Sequence, residues 1–149
     1  MTPSPHCESL VRNFEGLSTK AYLDTGGVPT IGYGHTKGVK LGDVITEAEA
    51  LKMLRADLAA FGRAIESRAE ADGIRLNQNE FDALASFAFN LGAARLFGST
   101  LWRKLKAGDH ARAADEFLRW DKGRDRNGRT ITLAGLAKRR AAERALFLS

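Results

Sequence analysis

The sequence contains little that could cross-link the chain or bind a structural metal. It has one cysteine, Cys7, and three scattered histidines among 149 residues. A single cysteine excludes an internal disulfide, and so few thiols and imidazoles argue against a structural zinc site. The fold must therefore be held together by packing alone.

Long apolar runs are also absent. No stretch approaches the roughly 18 to 20 residues that span a bilayer. The N-terminal segment "MTPSPHCESLVRNFEG" lacks the basic start and the continuous apolar stretch of a signal peptide. If the protein acts outside the cytoplasm, we expect that something else releases it.

Composition and charge indicate a globular protein with an anionic partner. Hydrophobic residues make up 44% of the chain, and a length of 149 residues fits one domain. The net charge of +5 favours nucleic acid, anionic lipid or a bacterial envelope as partners. The charge alone does not choose among the three.

The order of patterns along the chain predicts an α+β fold, a single domain over 1–149 with two lobes. An amphipathic helix comes first, with Ser4 as its N-cap and Gly16 at its end. The glycine-rich stretch that follows is typical of two or three small strands joined by a tight hairpin. The expected parts are an N-terminal helix over about 4–15, a β lobe over about 17–45, a connecting helix over about 46–70 and a helical lobe over about 71–149.

Start and stop signals mark the helices of the second lobe. Capping boxes in "TEAE" and "NQNE" begin the connecting helix and the one after it. Further helices are expected from Ser99 or Thr100, from Asp109 through Phe117 and Trp120, and over "LAGLAKRRAAERALF". Between the last two, "DKGRDRNGR" is predicted to be a charged loop. Within the final helix, "AKRRAAER" is predicted to be a solvated face that carries a helix ion pair of Arg139 with Glu143.

Residues that could carry chemistry are concentrated in "FEGLSTKAYLDTGGVPTIGYGHT", residues 14–36. Glu15 would end a helix, where the macrodipole disfavours a carboxylate by about 0.3 to 1 kcal/mol and so favours the protonated form that a general acid needs. The hairpin would bring Asp24 and Thr30 near it, although each is also common in turns or strands. An acid, a carboxylate and a hydroxyl would then share one site.

Two carboxyl groups that flank a bond are what glycoside hydrolysis requires. One protonates the leaving oxygen, and the other activates water or attacks the sugar. The hydroxyl of Thr30 beside Asp24 could hold a water, which favours an inverting reaction with carboxyl groups roughly 6.5 to 9.5 Å apart. Retention and a lytic transglycosylase reaction stay open. A non-catalytic module that binds walls or nucleic acid is the alternative class, but pure binding needs no proton donor such as Glu15.

The chain resembles the phage-type lysozymes, or endolysins, of glycoside hydrolase family 24. The resemblance rests on the spacing of Glu15, Asp24 and Thr30 and extends from Val11 to Phe147. The segments that carry it, in order, are "FEG", "AYLD", "PTIGYGHT", "LNQNEFDALASFAFNLG", "STLWRKLKAG", "FLRWDKG" and "GLAKRRAAE".

The resemblance implies a muramidase that hydrolyses the β-1,4 bond between N-acetylmuramic acid and N-acetylglucosamine in peptidoglycan, without metal or cofactor. Glu15 would be the proton donor, and Asp24 with Thr30 would position the attacking water. It further implies a monomer with its glycan in a cleft between the lobes. The protein would accumulate in the host cytoplasm and reach the cell wall through a membrane lesion, causing lysis.

The resemblance also assigns roles to residues around the site. His35 is expected to be a structural partner of Asp57 rather than a catalyst. Phe89, Asn90 and Thr100 are expected to contact the glycan, although Phe89 on an apolar helix is more simply explained as core.

Two tryptophans are further candidates for sugar contact. Trp102 could approach the glycan, whereas Trp120 lies at helical spacing from Phe117 and is more simply explained as core.

Nucleic acid is not the expected partner. The basic runs "RDRNGR" and "AKRRAAER" lack interleaved base-stacking aromatics and any known DNA-binding motif. The glycines of "GYGHTKG" fit neither the dinucleotide-binding nor the P-loop pattern. We expect the positive charge to attract an anionic cell envelope instead.

Overall fold

The computed structural model describes the whole chain, Met1–Ser149, and confirms the α+β architecture. It contains seven helices and two separate two-stranded sheets. The helices are α1 (Pro5–Glu15), α2 (Glu47–Ala71), α3 (Gln78–Leu91), α4 (Ala93–Phe97), α5 (Thr100–Lys106), α6 (His110–Glu116) and α7 (Ala134–Leu148). The strands are β1 (Ser18–Leu23), β2 (Pro29–Gly32), β3 (Lys122–Arg124) and β4 (Thr130–Thr132).

Strands β1 and β2 form the predicted antiparallel hairpin. Tyr22 is paired with Thr30 and Leu23 with Pro29, and the register is irregular between Ser18 and Tyr22. A second tight turn follows β2 directly, since Ile31 exchanges two backbone hydrogen bonds of 2.9 Å with the residue four positions on. The chain thus turns twice within a short distance, which places Thr30 between two turns.

Helix α2 begins at the predicted capping box, in which Thr46 and Glu49 each accept a backbone hydrogen bond from the other. Its 25 residues span about 37 Å. A stripe of buried residues that includes Leu54, Leu58 and Ile65 faces the core. None of the helices of the fold has both the length and the apolar character that crossing a membrane requires.

Helix α3 lies at the centre of the helical part. Every residue from 81 to 88 is buried, and the helix contacts α1, α2, α4 and α7. A helix that is buried on all sides carries polar groups only where they have partners. Asp82 accepts hydrogen bonds from Ser4 and Gln78, and the hydroxyl of Ser86 donates to Glu143 at 2.6 Å.

The prediction of a charged loop at "DKGRDRNGR" is wrong for its first part. Lys122–Arg124 form β3, which pairs antiparallel with β4 just after the segment, with Gly123 opposite Ile131, and residues 125–129 form the turn between the two strands. The hydrogen bonds of a tight turn at Asp125 fix this second hairpin, and the high charge of its side chains does not prevent pairing because they are exposed.

The prediction of a solvated face at "AKRRAAER" is wrong for one side of the helix, although Lys138 is exposed. Arg139, Arg140 and Glu143 are all buried, because this side of α7 packs against α3. The predicted pairing of Arg139 with Glu143 is present, but in the interior.

The helix expected from Asp109 is shorter than predicted. Asp109 caps α6, which ends at Glu116, and Phe117 and Trp120 lie in and after a 3-10 turn.

Candidate active site

Glu15 is the last residue of α1. Gly16 follows with a φ of +70°, and its N–H donates to the carbonyl of Arg12 at 3.1 Å, which ends the helix. The Glu15 side chain is 19% exposed, and its Oε1 accepts a hydrogen bond of 2.7 Å from Nη1 of Arg139. The sequence placed Glu15 at a helix end, as the structure does, but it did not reveal this guanidinium partner.

Arg139 belongs to a buried cluster of charges. Its Nη2 donates to the backbone carbonyl of Ser86 at 3.1 Å, and its Nε lies 3.4 Å from Oε2 of Glu143. Arg140 Nε lies 2.7 Å from Glu143 Oε1, but not in hydrogen-bond alignment, so attraction between charges joins these two atoms. Two guanidinium groups and the carboxylates of Glu15 and Glu143 therefore balance each other.

Burial shifts the pKa values of Glu143 and Arg140, the two most buried members of this cluster. Loss of water raises the pKa of Glu143, and the two neighbouring guanidinium groups oppose that rise. Loss of water likewise lowers the pKa of Arg140, which Glu143 opposes. The opposite charges in the cluster thus offset part of the cost of burying each one.

Gly34 lies directly against Glu15. A Cβ atom built on Gly34 would be 2.9 Å from Oε2 of Glu15 and 3.7 Å from Cε1 of Phe89, and the φ of Gly34 is +78°. Gly34 belongs to the tight turn after β2, so the absence of a side chain lets this turn approach the Glu15 carboxylate. The turn is thereby in contact with the end of α1.

Asp24 organises the turn between β1 and β2. Its Oδ1 accepts from the backbone N–H groups of Gly26 at 2.9 Å and Val28 at 2.8 Å. The backbone closes the same turn, because Asp24 N donates to Val28 O at 3.0 Å. Oδ2 of Asp24 accepts no hydrogen bond and the residue is exposed, so one carboxylate oxygen stays free.

Thr30 is linked to Asp24 through Val28. The Thr30 hydroxyl donates to the carbonyl of Val28 at 2.9 Å, while the N–H of Val28 donates to Asp24. Because its proton is committed to Val28, the Thr30 oxygen is left as an acceptor. Asp24, which is exposed, and Thr30, which is buried, are thus both tied to the backbone of Val28, one through its N–H and the other through its carbonyl.

Two depressions meet at Glu15 and Gly34. The larger, about 310 Å³, contains Glu15, and the smaller, about 190 Å³, contains Gly34. The first is lined by Phe14, Glu15, Asn90, Leu133, Gly135, Leu136 and Arg139. The second is lined by Gly34, His35, Thr36, Lys37, Asp57, Phe61 and Phe89. Because Glu15 lies against Gly34, the two depressions are neighbours, and together they are called the cleft.

His35 is held between two acceptors. Its Nδ1 lies 2.7 Å from Oδ2 of Asp57, and its Nε2 lies 3.0 Å from the carbonyl of Lys37. Each ring nitrogen thus lies within hydrogen-bond distance of an oxygen atom. A ring with both nitrogens engaged is not available as a general base. No group of three or more His, Cys, Asp or Glu side chains is arranged to hold a metal ion.

The remaining sequence candidates lie in different settings. Asn90 lines the depression of Glu15, and its Oδ1 accepts from Arg140 Nη2 at 2.9 Å, which leaves its amide N–H groups free to donate. Phe89 packs edge-on against Phe61 in the smaller depression.

Two candidates on α5 lie apart from these depressions. Thr100 is exposed, and its hydroxyl accepts from Arg103 at 2.7 Å. Trp102, the other candidate, is fully buried and donates to Asp72 at 2.8 Å, so its prediction as a sugar contact is wrong.

Sequence reasoning missed Arg139 and Arg140 as members of the site. A signal was present, since Arg139 and Arg140 stand four and three residues before Glu143 and could all face one side of a helix. Spacing does not tell whether such a side faces water or the core.

The chain resembles known proteins over nearly its whole length. A family model described as phage lysozyme matches residues 12–143. The endolysin of Acyrthosiphon pisum secondary endosymbiont phage 1 is 42% identical over 140 residues, covering 94% of this chain and 93% of that protein. The endolysin of Bacillus phage B103 is 43% identical over 144 residues, which cover 95% of this chain but only 52% of that protein. Among solved structures, the muramidase domain of SpmX from Asticaccaulis excentricus is similar with a TM-score of 0.89 and 36% identity, over 98% of this chain and 97% of that one.

Proposed function

Since the chain belongs to the phage lysozyme family and is a glycoside hydrolase that cleaves peptidoglycan, we propose that Glu15 donates the proton and that Asp24 and Thr30 hold the attacking water. The bond cleaved is the β-1,4 bond between N-acetylmuramic acid and N-acetylglucosamine. The observation that carries the proposal is the meeting of the Glu15 carboxyl group with the turn that follows the strand of Thr30.

Glu15 is suited to give its proton to the leaving oxygen. Its carboxyl group lies in the cleft, with Oε1 against Arg139 and Oε2 against Gly34. When the proton leaves, Glu15 becomes a carboxylate, and the buried guanidinium of Arg139 stabilises that product form. Arg139 thus favours proton donation while it fixes the orientation of the side chain.

Asp24 and Thr30 are suited to orient a water. A water that donates one proton to Oδ2 of Asp24 and the other to Oγ1 of Thr30 keeps its lone pairs for the anomeric carbon. Both acceptors are fixed by hydrogen bonds to the peptide groups of Val28, so little reorganisation is needed during the reaction. Direct attack by such a water is a single displacement, which inverts the configuration of the sugar.

The glycan would lie along the cleft. The amide N–H groups of Asn90, oriented by Arg140, are free to donate to an acetamido or hydroxyl oxygen of the sugar beside Glu15. Phe89 offers an apolar surface in the smaller depression. Thr100 stays a prediction with less support, because its hydroxyl is engaged by Arg103.

Product analysis tests the chemistry. We expect that NMR spectra recorded early in the digestion of soluble glycan strands show the α-anomer at the new reducing end, and that Glu15→Gln yields no product. An initial β-anomer would contradict inversion and assign Asp24 as nucleophile, and 1,6-anhydro ends would indicate transglycosylation. Equal product from wild type and Glu15→Gln would overturn the assignment of the proton donor.

We also propose that the protein acts on the cell wall as a monomer, attracted by its net charge of +5, and that it passes from the cytoplasm through a membrane lesion. Wall digestion should fall steeply with added salt, because salt screens exposed charges beyond about 10 Å at 0.1 M. A flat salt response would contradict the electrostatic part. Cells that make the protein should lyse only after membrane permeabilisation, and spontaneous lysis would contradict the route.

A further inference from the structure

The β3–β4 hairpin carries arginines whose charge is not neutralised. Arg124, Arg126 and Arg129 are exposed, and none of them forms an ion pair. The one acidic residue among them, Asp125, pairs with the backbone and not with an arginine side chain. Its Oδ1 accepts from the backbone N–H groups of Asn127 and Arg129, both at 2.9 Å. The tip is therefore an ordered turn that presents positive charge to the solvent.

The hairpin stands at the edge of the Glu15 depression. Leu133, which follows β4, lines that depression, and its N–H donates to the carbonyl of Asp121 at 2.9 Å, which closes the base of the hairpin. Gly123 of β3 lies so closely on the Leu133 side chain that an added Cβ would collide with Cδ1 of Leu133. Strands of three residues reach about 10 Å from this base. The three arginines line neither depression, so they lie on a hairpin that borders the cleft and not inside it.

We propose that this hairpin is a binding arm for the carboxylate groups of the peptides attached to the glycan strand. The proposal rests on the proposed function, because it needs a peptidoglycan strand in the cleft. Each muramic acid in peptidoglycan carries a short peptide with free carboxylates, so a strand near Glu15 brings anionic groups to the rim formed by Leu133. A guanidinium binds a carboxylate through two parallel N–H groups, which favours arginine for this role.

Nucleic acid fits this surface less well. No aromatic residue occurs between Asp121 and Leu133, so nothing interleaved with the arginines could stack on bases. A separate polyanion would also not need to bind next to the Glu15 depression. A substituent of the strand that is cleaved would lie there.

Binding without cleavage tests the arm. In a Glu15→Gln background, the dissociation constant is measured by titration with soluble uncrosslinked strands that carry peptides, and with the same strands after conversion of their carboxylates to neutral amides. The test variant is Arg126→Gln with Arg129→Gln. The matched control is Arg63→Gln with Arg75→Gln, which removes the same charge from two exposed arginines that form no ion pair.

The hairpin variant should bind the charged strands roughly fivefold more weakly, from two exposed charge contacts, and the amidated strands equally well. The control should change binding to either strand by less than about twofold. Equal losses in test and control variants, equal losses on both strands, or no loss at all would each overturn the proposal. Failure of the proposed function is distinguishable, because the protein with Glu15 intact would then shorten neither kind of strand.

Discussion

Replacing Asp24 with asparagine separates the charge of that side chain from its part in the turn. The amide oxygen of asparagine can still accept from Gly26 and Val28, so the turn keeps both hydrogen bonds. A neutral acceptor makes each bond weaker, and we expect a loss of unfolding free energy of about 1 kcal/mol or less at this exposed site. For a chain of this size, that loss lowers Tm by about 2 to 4 °C.

The activity of Asp24→Asn should fall far more than its stability. The free Oδ2 becomes an NH2 group, which cannot accept a proton of the attacking water, so the positioned base is lost. Loss of a positioned general base lowers the rate by about 10²- to 10⁴-fold. The assay is clearing of wall-exposed Gram-negative cells alongside thermal unfolding followed by circular dichroism.

The chain supplies a matched control in Asp125. Its Oδ1 accepts from two backbone N–H groups two and four residues on, at 2.9 Å each, in the same pattern as Asp24. Asp125→Asn should therefore lower Tm by a similar amount and leave kcat within about twofold. If Asp24→Asn keeps more than a tenth of the wild-type activity, or if both variants lose the same small fraction, the assignment of Asp24 as the water-holding carboxylate is wrong.

Three further predictions concern packing around the site and in the core. Gly34→Ala should lower activity at least tenfold, because the new Cβ would lie 2.9 Å from the proposed proton donor. Gly38→Ala is the control: Gly38 has a similar φ of +72° but open space around it, so this variant should lose stability only. Equal activities of the two variants would contradict the close approach. Asp57→Asn should lower the unfolding free energy by about 1 to 3 kcal/mol, because it weakens the contact with Nδ1 of His35, and it should leave kcat within a few-fold. A loss of activity without a loss of stability would contradict a bracing role. Burial raises the pKa of Cys7 to about 12, so the native thiol keeps a proton that the unfolded chain releases above about pH 9. The unfolding free energy should therefore fall as pH rises from 9 toward 12, less so in Cys7→Ala, and an equal slope in both would contradict the shift.

The two hairpins show how far the sequence predicts this fold. "DTGGV" and "DRNGR" form the same turn, with an aspartate at the first position and a glycine of positive φ at the fourth, Gly27 and Gly128. The first was predicted because β-prone residues flank it. The second was not, because its strands consist largely of lysine, arginine and threonine and therefore lack the apolar alternation that marks a strand. The aspartate and glycine spacing was the usable signal.

Residue spacing brought Glu15, Asp24 and Thr30 together in the prediction because all three lie within one short stretch. The partner of Glu15 lies 124 residues away on α7, and no local pattern connects the two. The basic run that contains Arg139 has the composition of a solvated face. Only the packing of α7 against α3 removes Arg139, Arg140 and Glu143 from water, and this packing depends on the whole core.

The buried charge cluster links the proposed acid to the helical part of the fold. Arg139 contacts Glu15 at the end of α1, Ser86 on α3 and Glu143 on α7, so three helices fix the position of one carboxyl group. With Glu15 ionised, two cations face two carboxylates. The hydrogen bond from Arg139 Nη1 holds the Glu15 carboxyl group in one orientation at the end of α1. The cluster therefore positions the group that is proposed to donate the proton, and it does so from parts of the chain that are distant in sequence.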